Sequence, residues 1–386
     1  MATSSFDPTD VDLTTADPAT VVCFLEAAGN DYDGRLGARI SSVFVIFVIS
    51  TAVTFFPVLA KRVPRLKIPL YVYLFARYFG TGVIIATAFI HLLDPAYGSI
   101  GPNTCVGMTG NWAQYSWPPA ICLTSAMLTF LMDFVAELYV EQKYGLSLSK
   151  QDERMVIVQD APERQPEPTI GVVPQTQEHQ GAGGDLNASL EKGARTASPP
   201  SQTDVSSDGE WDLQDFKDAA SAERSFRQQI AALLVLEFGV IFHSVIIGLN
   251  LGVVGSEFTT LYPVLVFHQS FEGLGIGARM SAIPFKRKSW LPWILCMLYG
   301  LTTPVSIAIG LGVRTTYNPN SNVANIVSGV LDSFSAGILV YTGLVELLAR
   351  DFLFDPNRTN ERKRLAFMTV CTFAGAGVMA LIGKWA

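Results

Sequence analysis

Three of the four histidines in the chain, His91, His243 and His268, fall inside long apolar stretches, and each of those stretches also carries a carboxylate. Neutral imidazole and carboxylate are ligand types that suit zinc, iron(II) and manganese(II), whereas copper(I) favours thiolates and thioethers. In the stretch VFHQSFEGLGIGARM, His268 and Glu272 stand four residues apart and Gln269 and Glu272 three apart. On a helix, that spacing brings one nitrogen and three side-chain oxygens to one face. In LEFGVIFHSVIIGLNLG, Glu237 and Ser244 are seven apart, two helical turns, with His243 beside Ser244. No Lys or Arg lies within one turn of Glu272, so a carboxylate at membrane depth would lack a local counter-charge. A dication held by both stretches would supply it. The competing reading is structural: Ser244, Gly248 and Gly252, at four-residue spacing, form a face on which two helices approach closely. A tight interface of that kind can also wall a path.

Weaker candidates flank these. His91 and Asp94, at i and i+3, are placed to form an outer approach site, and Glu237 and Glu346 to take an ion inward. Asp133 and Glu137 are more simply read as solvated at an interface, and His179 as solvated in a polar loop. There is no HExxH.

The elements that must position these residues are membrane helices. Of 386 residues, 49% are hydrophobic and only 16% charged, and a helix of about 20 apolar residues spans a bilayer because its backbone groups are satisfied internally. Apolar windows predict eight spans, at roughly 40–60, 70–94, 119–140, 230–252, 259–280, 289–313, 324–348 and 365–385. Basic residues cluster in three loops: Lys61, Arg62, Arg65 and Lys67; Lys286, Arg287 and Lys288; and Arg350, Arg358, Arg362, Lys363 and Arg364. Cytoplasmic loops retain positive charge, so these share one side and both termini lie outside. The expected fold is an all-α polytopic membrane protein of eight transmembrane helices.

The expected organisation is an extracellular tail at 1–39, helices 1–3 at 40–144, a long disordered cytoplasmic loop at 145–227 and helices 4–8 at 228–386. The loop is rich in Gln, Glu, Asp, Ser, Pro and Gly and buries too little apolar area to offset its ordering entropy. The acidic N-terminal segment lacks the basic start and apolar core of a signal peptide and is expected to be retained. A formal net charge of -7, with basic residues scattered in short loops, argues against nucleic acid as a partner. The five cysteines show no CxxC spacing; Cys122, Cys296 and Cys371 fall in spans, whereas Cys23 and Cys105 fall on the outer, oxidising side and are a candidate disulfide.

HSVIIGLNLG at 243–252 and HQSFEGLGIG at 268–277 resemble the paired signature helices of the ZIP family, the zinc- and iron-regulated transporter-like proteins, with FIHLLDPA at 89–96 and the long loop extending the likeness toward the fungal and plant branch. The resemblance implies a central metal site between helices 4 and 5, in a bundle with an inverted repeat. His243, His268 and Glu272 would be principal ligands, with Ser244 and Gln269 contributing directly or through water. Where some members place further carboxylates for a second ion, this chain has Ile247 and Thr303, which argues against a binuclear centre.

The function expected on these grounds is transport of a divalent metal ion, zinc with iron or manganese as alternatives, into the cytoplasm. The metal is substrate; no cofactor is expected. The rival is an intramembrane zinc-dependent hydrolase in which Glu272 would activate a metal-bound water. Further expectations are residence in the plasma membrane, with an intracellular membrane as the alternative, a homodimer, and regulatory modifying enzymes acting on the central loop. Because the loop's composition supplies no site, deleting much of Gln151–Asp215 is expected to leave metal flux in vesicles largely intact while changing abundance. A deletion protein that inserts normally yet carries no metal would contradict this.

Overall fold

The computed structural model describes residues 15–26, 32–63, 69–144, 208–286, 288–354 and 358–385, with no side-chain placement for 140, 141, 143, 144 and 208–225. Among these the chain is helical, without strands. Its elements are α1 (Pro18–Glu26), α2 (Leu36–Arg62), α3 (Leu70–Ala86), a π-helical segment π1 (Thr87–Leu93), α4 (Asp94–Ile100), a 3₁₀ turn (Gly110–Gln114), α5 (Trp117–Tyr144), α6 (Asp208–Val253), α7 (Phe258–Ala282), α8 (Leu291–Val313), α9 (Asn322–Tyr341), a second π segment π2 (Thr342–Phe354) and α10 (Arg362–Gly383).

Among the described residues, seven helical stretches are long and apolar enough to cross a membrane: Leu36–Arg62, Leu70–Ile100, Trp117–Tyr139, Phe226–Val253, Leu291–Val313, Asn322–Phe354 and Arg362–Gly383. The remaining expected span, 259–280, corresponds to α7. At 25 residues it is long enough, but His268, Gln269, Glu272 and Arg279 lower its apolarity below that of the others. Those polar groups are tolerable because α7 packs against α2, α3 and α8, and His268, Gln269 and Glu272 are at most 1% exposed. The expected loop at 145–227 falls mostly outside the described residues. Its last part, from Asp208 onward, is helical and continues into the fourth span as α6, so a loop deletion that spares this helix must end before Asp208.

The bundle is closed by small residues. A Cβ at Gly275 in α7 would come within 2.8 Å of the Gly80 backbone in α3, and one at Gly252 in α6 within 2.8 Å of the Gly310 backbone in α8. These helices touch backbone to backbone, as close membrane packing requires. At the basic end, the Lys61 ammonium donates to the Ser281 carbonyl (2.5 Å) and Arg62 to that of Ser289 (3.3 Å), so the end of α2 meets the α7–α8 turn.

At the opposite end Cys23 and Cys105 form a disulfide that ties α1 to the segment following α4, and the Cys105 amide donates to Glu26 Oε2 (3.0 Å). Nearby, Arg39 is fully buried. Its Nη1 donates to the Leu251 (3.0 Å) and Gly252 (3.3 Å) carbonyls, its Nη2 to Val254 and to Asp33 (2.9 Å), and its guanidinium lies 4.5 Å from the Phe258 ring centroid. One arginine therefore satisfies the C-terminal carbonyls of α6 and fixes the turn into α7.

Arg39→Ala leaves these carbonyls without their charged donor and Asp33 with Arg35 alone. It is expected to cost about 3 kcal/mol or more, read as a lower thermal midpoint of the solubilised protein. Arg39→Lys keeps the charge but not the planar fork and should recover only part of the loss. Midpoints equal to wild type for both would contradict the role assigned to this residue.

Candidate metal site

Helices α6 and α7 lie side by side, and their facing residues build the site. His243 Nε2 of α6 is 3.2 Å from His268 Nε2 of α7, and the same His268 nitrogen is 3.3 Å from Glu272 Oε1. One ligand atom from each of the three residues falls within a 4.8 Å cluster. His243 is 2% exposed; His268 and Glu272 are fully buried.

The geometry is that of converging lone pairs. A ring nitrogen carries at most one proton, so His268 Nε2 cannot donate to both of its neighbours, and neither Glu272 oxygen has a hydrogen-bond partner. A tetrahedral ion with ligands at 2.0–2.2 Å separates ligand atoms by about 3.3 Å. The two short edges of this triangle match that spacing. A divalent ion here would meet two neutral nitrogens and one anionic oxygen.

Around the triangle lie buried polar atoms without partners, Ser244 Oγ, both amide atoms of Gln269 and Thr87 Oγ1; Thr303 Oγ1 on α8 is likewise buried and unpartnered. Ser244 and Gln269 thus have free ligating atoms next to His243 and His268 in the chain, while Thr87 lies close to the Glu272 carboxylate without a hydrogen bond to it. The Tyr299 hydroxyl donates to the Gln269 main-chain carbonyl (2.9 Å) and holds that turn of α7. Thr303 is fully buried on α8 and, like Ile247, supplies no carboxylate for a second ion.

The other expected residues are placed unevenly. His91 stacks edge-on against His268, with ring centroids 4.7 Å apart, and its Nε2 lies 3.2 Å from the Met379 carbonyl. Asp94 is exposed and does not join it. Glu237, 3% exposed, has two unpartnered oxygens. Glu346 pairs with Arg350 (2.5 Å) and, with Leu236 beside Glu237, lines a cavity of about 560 Å3. Asp133 accepts from the Tyr341 hydroxyl (2.9 Å), a packing contact between α5 and α9.

Sequence reasoning missed Thr87, Tyr299 and a buried ionic group made by Arg77, Arg279 and Asp351. For the last a signal existed, since Arg77 and Arg279 are charges inside expected spans. It also missed π1 and π2, the wider-wound segments that carry His91, Glu346 and Asp351.

Comparison with known proteins identifies the family. The family profile described as ZIP Zinc transporter matches residues 36–383. Zinc-regulated transporter 1 of Saccharomyces cerevisiae is 55% identical over 389 aligned residues, 99% of this chain and 97% of the relative. Zinc-regulated transporter 1 of Schizosaccharomyces pombe is 39% identical, over 95% of this chain and 90% of that one. Fe(2+) transport protein 3, chloroplastic, of Arabidopsis thaliana is 32% identical over 81% and 76%. No solved structure matches the chain significantly. With the profile spanning every membrane helix from α2 to α10, the chain belongs to the ZIP zinc transporter family.

Proposed function

We propose that this protein takes zinc up into the cytoplasm through the α6–α7 site, with His243, His268 and Glu272 as ligands and Ser244 and Gln269 completing the shell directly or through water. The observation that carries this reading is the convergence of two imidazole nitrogens and a carboxylate at ion-coordinating distance in a fully buried place. Transport of zinc is the family's activity, and nothing favours the hydrolase considered from sequence: the family and the relatives are named as transporters, and the site has no HExxH.

The path we infer runs from His91, with Asp94 outside it, to the triangle, then past Glu237 to the cavity beside Glu346. Eight spans, both termini outside and the division at 39, 144 and 227 complete this proposal, since α7 is the only span that must be added to the seven apolar ones. Iron(II) and manganese(II) fit the same donor types, and one relative is named for Fe(2+). Plasma-membrane residence accords with uptake. A homodimer and modifying enzymes on the central loop remain part of the proposed setting.

Single replacement of His243, His268 or Glu272 by Ala, in protein confirmed folded and at equal density in vesicles, is expected to reduce zinc flux at sub-saturating zinc about a hundredfold or more. Loss of mere supporting contacts already costs 10–100-fold in metal sites. Exposed Asn250, in the same signature stretch, provides the contrast: Asn250→Ala should be mild. Near-normal flux in all three variants would show that the site is elsewhere.

Protons compete with metal for imidazole nitrogens, so zinc affinity is expected to fall as pH is lowered and to return on neutralisation. Fluorescent-chelator competition on solubilised protein reads this directly. Affinity that stays flat across the acidic range would exclude two neutral histidines as ligands.

A further inference from the structure

The cavity of about 560 Å3 beside Glu346 lies at the end of the bundle where the basic loops meet, and its size is within the range of small-molecule sites. Its wall holds Arg77 from α3, Arg279 from α7, and Glu346, Arg350 and Asp351 from π2. Asp351, 5% exposed, is shared: Arg77 Nη2 reaches its Oδ1 at 2.8 Å and Arg77 Nε its Oδ2 at 3.2 Å, while Arg279 Nη2 reaches Oδ2 at 3.2 Å. Arg350 pairs with Glu346. Three guanidinium groups thus face two carboxylates, and among the described residues the lining has no other ionised side chain.

Among the described lining residues guanidinium groups therefore outnumber carboxylates by one, the excess opening toward Arg350, which is 37% exposed. Arg279 adds a specific vacancy for a hydrogen bond: its Nε is buried and unpartnered. This excess sits where a cation path would open, next to Leu236 and hence to Glu237. A bare dication is repelled by such a wall, whereas an anion is attracted and would also lower the charge of the metal it meets.

We propose that this cavity is an oxyanion site, in which Arg279 and Arg350, with Arg77 behind them, hold a carboxylate- or phosphate-type group that receives the released metal. The ligand is either a small multivalent anion of the aqueous phase or a phospholipid headgroup; both present the oxygens that guanidinium forks bind. The metal-receiving role rests on the transport reading above, but the anion site itself does not.

The test uses full-length, zinc-free protein in phosphatidylcholine nanodiscs at fixed ionic strength, titrated with citrate by calorimetry. A parallel arm compares thermal stability in nanodiscs with and without phosphatidic acid. Saturable citrate binding at one equivalent per chain identifies a soluble ligand, and stabilisation by phosphatidic acid alone identifies a headgroup; either supports the site. In the responding arm, Arg279→Gln, and Arg350→Gln at the more exposed rim, should weaken the effect about tenfold or more, the worth of one charge-assisted hydrogen bond. Asp351→Asn removes the internal competitor and should strengthen it, whereas a purely structural Asp351 would give no gain. Exposed Lys363→Gln is the charge-matched control and should change nothing. The proposal is overturned if neither anion acts on wild type, if both arginine variants respond like Lys363→Gln, or if folded Asp351→Asn binds more weakly. Because zinc is absent throughout, these failures leave the zinc site untouched, and loss of flux in the histidine variants leaves anion binding untouched.

Discussion

The Glu272 carboxylate is fully buried in a membrane helix with no Lys or Arg against it among the described residues. A buried carboxylate is expensive unless something positive faces it. The nearest arginine on its own helix, Arg279, lies two turns away and is engaged with Asp351. His268 and His243 instead present nitrogens to it, and neutral imidazole offers lone pairs rather than charge. In the proposed reading a mobile cation supplies the compensation. On this account the cost of burying Glu272 is what makes the site wait for its substrate, while the two imidazole nitrogens favour an ion that accepts nitrogen ligands.

Such a site works only if two helices are held side by side at the right height. Arg39 fixes the turn between them by capping the end of α6 and stacking on Phe258 at the start of α7. Glycines set the separation on either side: Gly248 and Gly252 admit α8 against α6, and Gly275 admits α3 against α7. Tyr299 reaches across from α8 to the main chain of Gln269. Contacts outside the triangle thus determine whether three ligand atoms meet. The helix α7 carries its polar residues within an expected span and packs against α2, α3 and α8.

What could be read from sequence follows the range of each interaction. His268 and Glu272 were legible because both lie on one helix, where spacing alone sets the geometry. The pairing of His243 with His268 crosses between helices; polarity placed both in spans, but only the likeness of HSVIIGLNLG and HQSFEGLGIG to signature helices set them opposite each other. The capping role of Arg39 was illegible because the carbonyls it caps lie more than two hundred residues away and carry no sequence signal. The π segments left no trace because i→i+5 winding has no distinctive apolar period. The helical start at Asp208 was hidden by a polar composition that reads as loop. Cys23 and Cys105 needed only their side of the membrane, since no other cysteine falls there.

The central claim, that two imidazoles and one carboxylate hold the ion, is most directly tested by zinc-edge X-ray absorption on the full-length protein loaded with one equivalent of zinc. The expected spectrum shows low-atomic-number scatterers at about 2.0–2.1 Å, outer-shell imidazole features corresponding to two histidines, and no sulfur. A sulfur shell at about 2.3 Å, or an all-oxygen shell without imidazole scattering, would contradict the account.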